Sequence, residues 1–130
     1  MFEAKTNGIT VAALPVYIDE RSNPDASQYF WAYRIAIRNE CGEGVKLLSR
    51  YWLITDGKGN RQEVEGEGVV GEQPYIANGK DYAYTSGCPL TTDSGVMEGY
   101  YIFCYDSGEK FQVQIPAFSL DLPDLNPSLN

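Results

Sequence analysis

At 130 residues and 43% hydrophobic content, the chain has the length of one domain and enough apolar material for a core without disulfide or metal support. Its 10 Lys+Arg against 18 Asp+Glu give a net charge of −8, and no Lys/Arg run interrupts that acidity. This argues against phosphate-led contact with nucleic acid and against an anionic membrane surface. With no histidine, imidazole-ligated zinc, Ser-His-Asp and Cys-His chemistry are all absent.

The apolar pattern has period two almost throughout, so strands are expected and helices are not. Ile9, Val11 and Ala13 alternate first, and the phase then moves to Leu14, Val16 and Ile18 around Pro15. A proline at a phase change predicts an edge strand with a bulge or bend. After a turn at Asn23-Pro24, residues 29–38 form the strongest strand, with Tyr29, Trp31, Tyr33, Ile35 and Ile37 on one face. In residues 45–56, Leu48, Trp52 and Ile54 fit a core face, but Leu47, Tyr51 and Leu53 fit nearly as well. Both faces of that strand are therefore expected to be at least partly covered.

Asp56 to Asn60 is a tight turn, followed by a short strand over 61–65 and a glycine-rich loop, Gly66 to Gln73. A strand over 81–86 follows Asn78-Gly79, and Gly87-Cys88-Pro89 with Asp93-Ser94-Gly95 brackets the next connection. Residues 96–105 and 111–122 are the last two strands. The second slips phase at Pro116, which again predicts a bulge. About seven strands punctuated by turns, with no repeat or linker, predict a single β-sandwich domain over 1–130. Its core is expected over about 8–122, with a tail over 123–130.

Three cysteines without a CxxC pair fit reduced thiols better than a disulfide framework. The opening Met1 to Asn7 lacks the basic and apolar segments of a signal peptide, and no apolar stretch is long enough to span a bilayer. A cytoplasmic location without membrane or nucleic-acid contact is the expectation.

Several stretches resemble the ApaG family: Leu47-Leu48-Ser49-Arg50-Tyr51-Trp52-Leu53-Ile54-Thr55-Asp56, Val64 through Pro74, Tyr84 through Leu90, Met97-Glu98-Gly99 and Ile115-Pro116-Ala117-Phe118. They occur in the family's order and run from about Thr10 to about Asp121. The resemblance implies an immunoglobulin/fibronectin-III-like sandwich. It also implies a poorly defined function, with the alternative name CorD and an association with cobalt resistance and magnesium efflux. Related eukaryotic domains, in F-box and DNA-polymerase-interacting proteins, imply a protein-binding role. The family commonly has a histidine where this chain has Tyr51.

Gly66-x-Gly68-x-x-Gly71 has the spacing of a dinucleotide fingerprint, and the resemblance implies a pyrophosphate motif there. The mechanism needs a helix after the turn, but Glu72, Gln73 and Pro74 follow, and Glu67 places negative charge inside the loop. Gly66, Gly68, Gly71, Glu67 and Glu72 therefore form a secondary candidate for a nucleotide or divalent cation, and a structural loop is the stronger reading. Glu63, Glu65 and Glu67 alternate along one strand and project from one face, which reads as a solvated face more readily than as a metal site. No metal ligand set and no cofactor are assigned.

Cys88, between Gly87 and Pro89, has no base beside it and reads as a structural thiol. With no acid–base pair marked out, enzyme activity is not expected. Ten Tyr, five Phe and two Trp are present, and Trp31 and Trp52 are expected in the core. Tyr100 and Tyr101, being adjacent, must face opposite sides of their strand. Tyr51, Tyr75, Tyr82 and Tyr100 are the candidates for an exposed aromatic interaction surface. A protein partner, bound through that surface or an open sheet edge, is the leading expectation. A cation- or nucleotide-binding module using Gly66–Gln73 is the alternative.

Overall fold

The computed structural model describes residues 1–123. Among them are nine strands: β1 (Phe2–Thr6), β2 (Ile9–Tyr17), β3 (Tyr29–Asn39), β4 (Val45–Asp56), β5 (Arg61–Glu67), β6 (Tyr75–Ile76), β7 (Asp81–Leu90), β8 (Ser94–Tyr105) and β9 (Lys110–Asp121). One antiparallel sheet has the order β1-β2-β3-β7, and the other the order β5-β4-β8-β9 with β6 also paired to β4. Two single-turn 3₁₀ segments, Asp19–Arg21 and Pro24–Ala26, connect β2 to β3. The expected β-sandwich is thus present. The expected tail lies almost wholly outside the described residues.

The core follows from strand alternation. Ile9, Val11, Ala13, Trp31, Tyr33, Ile35 and Ile37 from one sheet meet Trp52, Met97, Tyr101, Phe103, Val113, Ile115, Phe118 and Leu120 from the other, all buried. Trp52, Tyr33 and Phe118 pack mutually edge-on or tilted, with centroids 5.3–5.9 Å apart. Such aromatic contacts add to the area they bury. Trp31 and Trp52 are both in the core, and Tyr101 is buried while Tyr100 lies on the outer face, as alternation requires.

The ambiguous phase of β4 is resolved by a bulge. Leu47 pairs with Phe103 and Ser49 with Ile102, so Leu48 is the extra residue. Before it Val45 and Leu47 point inward, and after it Trp52 does. Each of the two competing patterns holds for half of the strand. The bulge expected at Pro116 is also present: Met97 pairs with Phe118 but Gly99 with Ile115, leaving one residue more on β9 than on β8.

Three expectations need correction. No bulge occurs at Pro15, because β2 and β3 stay in continuous register from Ile9 opposite Asn39 to Tyr17 opposite Trp31. Leu14 and Val16 are simply exposed, at 41% and 50%, and β1 ends its pairing at Ala13, so the proline sits where β2 has become an edge. The strand expected over 81–86 runs on to Leu90. Pro89 is accommodated because β7 is an edge strand, and Gly87 leaves room for the Phe30 ring above it. Finally, β1 begins six residues before the expected core, and its FEAKT sequence is too polar to advertise a strand.

The sandwich is closed on one side only. β9 packs against both β1 and β2, whereas no comparable packing joins β5 to β7. These two edge strands stand apart, and the space between them is the most distinctive feature of the molecule's surface.

Candidate functional site

A trench runs between β5 and β7 along the open side. One end is a groove of about 540 Å³ under Arg21, Phe30, Ile54, Arg61, Pro89 and Leu90. The middle section, about 210 Å³, is floored by Trp52 and Met97 and flanked by Val64, Cys88 and Pro89. The far end, about 270 Å³, lies beneath the glycine loop against Arg50, Tyr84 and Ser86. The sections share residues: Ile54, Gln62 and Pro89 join the first two, and Tyr33, Arg50, Trp52 and Ser86 the last two.

The trench is apolar at its floor and polar at one end. Arg50 follows the Leu48 bulge in the inward phase of β4, and its Nη1 donates to the carbonyls of Glu67 (3.2 Å) and Gly68 (2.9 Å). Tyr84 and Tyr101 share a buried hydrogen bond. Burial raises the Tyr84 and Tyr101 pKa values well above the ordinary tyrosine range. Tyr33 is raised as well, by burial first, with a side-chain hydrogen bond to Ser86 opposing it. The Cys88 thiol is pushed up to about 11 by burial, which leaves it protonated and a poor nucleophile at neutral pH.

The glycine loop is built to close on itself. Gly68 N–H donates to Leu48 O, and Val69 and Glu72 exchange backbone hydrogen bonds of 2.8 and 2.9 Å. The Gln73 side chain adds a second donor to Leu48 O. The two residues at the turn's tip, Val70 and Gly71, both have positive φ, as a tight two-residue reversal requires. A Cβ on Gly68 would sit 2.0 Å from Glu72 O, and one on Gly66 would sit 2.8 Å from the Arg50 guanidinium. Each of these two glycines is thus explained by a neighbour that needs its space. β6 follows the loop instead of a helix, and the amides of Gly68, Val69 and Glu72 are already engaged within the protein.

Gly68, Gly71 and Glu72 lie together in the loop, but Gly66 and Glu67 are the last two residues of β5, which runs past the expected end at 65 because they pair with Arg50 and Ser49. The Glu72 carboxylate accepts from Tyr82 Oη at 3.1 Å. The four candidate tyrosines are dispersed. Tyr51 and Tyr100 stack at 5.0 Å on the outer face of the five-stranded sheet, and Tyr51 Oη donates to Glu63 at 2.9 Å. Tyr75, 57% exposed, lies in β6 opposite Lys46 and over Gly44, at the opening end of β4. Tyr82 is half-buried on the inward side of β7. Glu63, Glu65 and Glu67 pair across from Leu53, Tyr51 and Ser49 on that same outer face. No three His, Cys, Asp or Glu side chains converge as a metal site among the described residues.

Sequence reasoning missed Arg50, Tyr33, Tyr84 and Ser86 as a group. The available signal was a charged residue in the inward phase of a strand, two positions before Trp52. The bulge that puts it there was hidden.

Fold and surface together define a small antiparallel β-sandwich domain with one open side. An ApaG domain family model matches residues 19–105, and the chain belongs to that family. It is 51% identical to Protein ApaG of Brucella canis and 51% identical to Protein ApaG of Mesorhizobium japonicum, each comparison covering 130 residues and all of both chains. The crystal structure of an ApaA protein from Bordetella pertussis superposes with a TM-score of 0.87 at 44% identity, covering 88% of this chain and 94% of that one.

Proposed function

We propose that the domain is a protein-interaction module that engages its partner along the open side of the sandwich. The observation that carries this reading is the pair of unmatched edge strands, β5 and β7, flanking a trench floored by aromatic and aliphatic side chains. Unpaired strand edges bind extended chains through main-chain hydrogen bonds, and alternate pockets supply specificity. The reading involves no catalytic step, and the protonated Cys88 thiol supports that. A cytoplasmic setting is supported by the three free cysteines.

The test is affinity capture with the full chain. Recovery of one stoichiometric partner is expected, retained by the outer-face variant Tyr100→Ser and lost with Val64→Arg, which fills the trench mouth. Calorimetric titration with Mg²⁺, Co²⁺ and ATP gives the counter-test. Saturable binding abolished by Glu67→Gln would replace this reading with a ligand-binding one centred on Gly66–Gln73.

A further inference from the structure

The interaction reading leaves open which edge is used and what chemistry it selects. We propose that β5 is the receiving edge, and that its partner is an extended segment whose side chains alternate between basic and apolar. This inference rests on the interaction reading and assigns it a strand and a sequence pattern.

β5 is hydrogen-bonded to β4 on one side only, over Arg61 to Glu67. Its outward residues are Arg61, Glu63, Glu65 and Glu67, all exposed, and its inward residues Gln62 and Val64 form the lip of the trench. A strand added to this edge must follow the same period of two. Its outward side chains would stand beside three carboxylates, and its inward ones would drop towards Ile54, Trp52, Pro89 and Met97.

Charge selects the occupant. Among the described residues the only ion pairs are those of Arg38 with Glu40 and Asp81, so none of the three β5 glutamates is neutralised. Glu98 lies on the same face, with Leu53 paired to both it and Glu63. Opposite charges facing across strands stabilise pairing and like charges oppose it. A partner read antiparallel to β5 would therefore carry Lys or Arg opposite Glu67, Glu65 and Glu63, and an acid opposite Arg61. A second copy of β5 is a poorer occupant, since full antiparallel overlap sets Glu63 against Glu65 twice and gains only the two Arg61–Glu67 pairs, whereas the basic segment meets all four charges with opposite ones. β7 is the weaker edge, because Asp81 is already paired with Arg38 and Pro89 lacks a donor.

The probe is an N-acetylated, C-amidated peptide, Lys-Val-Lys-Ile-Lys-Val-Asp, titrated into the isotope-labelled full chain and followed by amide chemical shifts. Saturable shifts centred on Arg61–Glu67 and the trench residues are expected. Affinity should fall about tenfold or more in about 0.5 M salt, where surface charges are screened. The double variant Glu63→Lys/Glu65→Lys, with its spectrum showing an intact fold, should lose this peptide and gain Lys-Val-Glu-Ile-Glu-Val-Asp, whose charges are reversed only opposite positions 65 and 63. The proposal is overturned by equal binding of both peptides to the unaltered chain, by shifts confined to β7 or the glycine loop, or by no shift at millimolar peptide. Concentration-dependent self-association through β5 would overturn it too. A captured partner that survives the double variant but is lost with Val64→Arg would sink the β5 assignment alone and leave the interaction reading standing.

Discussion

Val70 holds a backbone conformation that its side chain disfavours. Its φ is +44°, a region that β-branched residues rarely enter, and more than half of its surface is exposed at the lip of the polar trench end. Asn at this position of a tight reversal adopts positive φ more readily, so Val70→Asn is expected to stabilise the fold by about 1 kcal/mol, read as a shift of the urea midpoint. If the turn's apolar tip belongs to the binding surface, the same substitution weakens partner capture while raising stability. That opposite movement separates a residue kept for contact from one kept for folding. Arg50, by contrast, anchors the loop from beneath, so substituting it would confound the two effects.

At the scale of elements, β7 shows how a breaker-rich sequence still makes a strand. Gly87 lies opposite Ala32, and a Cβ there would come within 2.3 Å of the Phe30 ring, which itself sits 4.0 Å from the Arg21 guanidinium. Gly87→Ala should displace that ring and cost about 1–3 kcal/mol in chemical denaturation, with the loss concentrated in faster amide exchange at β7 and the adjoining end of β3. The Gly-Cys-Pro run reads as a connection because each residue alone disfavours a strand interior. What reverses that reading is non-local: an aromatic ring from the neighbouring strand and a free edge. The same holds elsewhere. Long strands such as β3, with five inward residues in unbroken alternation, are legible from their own residues. β1 and the two-residue β6 are visible only through the strands that they pair with. The Leu48 bulge could not be placed because both phases of β4 are apolar, and Arg50's inward position went with it. The glycine loop is contiguous and its turn is legible, although its first two expected residues close β5, while the trench, assembled from five strands, has no contiguous signature.

The whole molecule carries a consequence of its polar trench end. Tyr33, Tyr84 and Tyr101 are held neutral chiefly by burial, so their folded pKa values lie above the ordinary value of 10.0. Unfolding exposes them to water and lets them ionise near that ordinary value. The folded chain therefore retains protons that the unfolded chain releases, and stability present in full below pH 10 is lost as pH rises from 10 through the folded values. Each tyrosine that stays fully protonated in the folded state adds a slope of about 1.4 kcal/mol per pH unit. Urea midpoints measured across this alkaline range should fall steeply, and phenolate absorbance should show a group of tyrosines titrating only with unfolding. Tyr84→Phe should reduce the slope by about one tyrosine's share, while removing one partner of the Tyr84–Tyr101 bond lowers stability at neutral pH by about 1 kcal/mol. A shallow, gradual titration of all ten tyrosines in the folded chain would instead mean that solvent reaches the trench floor freely. An open side that admits a partner's side chains must then rely on that partner, and not on its own packing, to keep water from the polar group beneath.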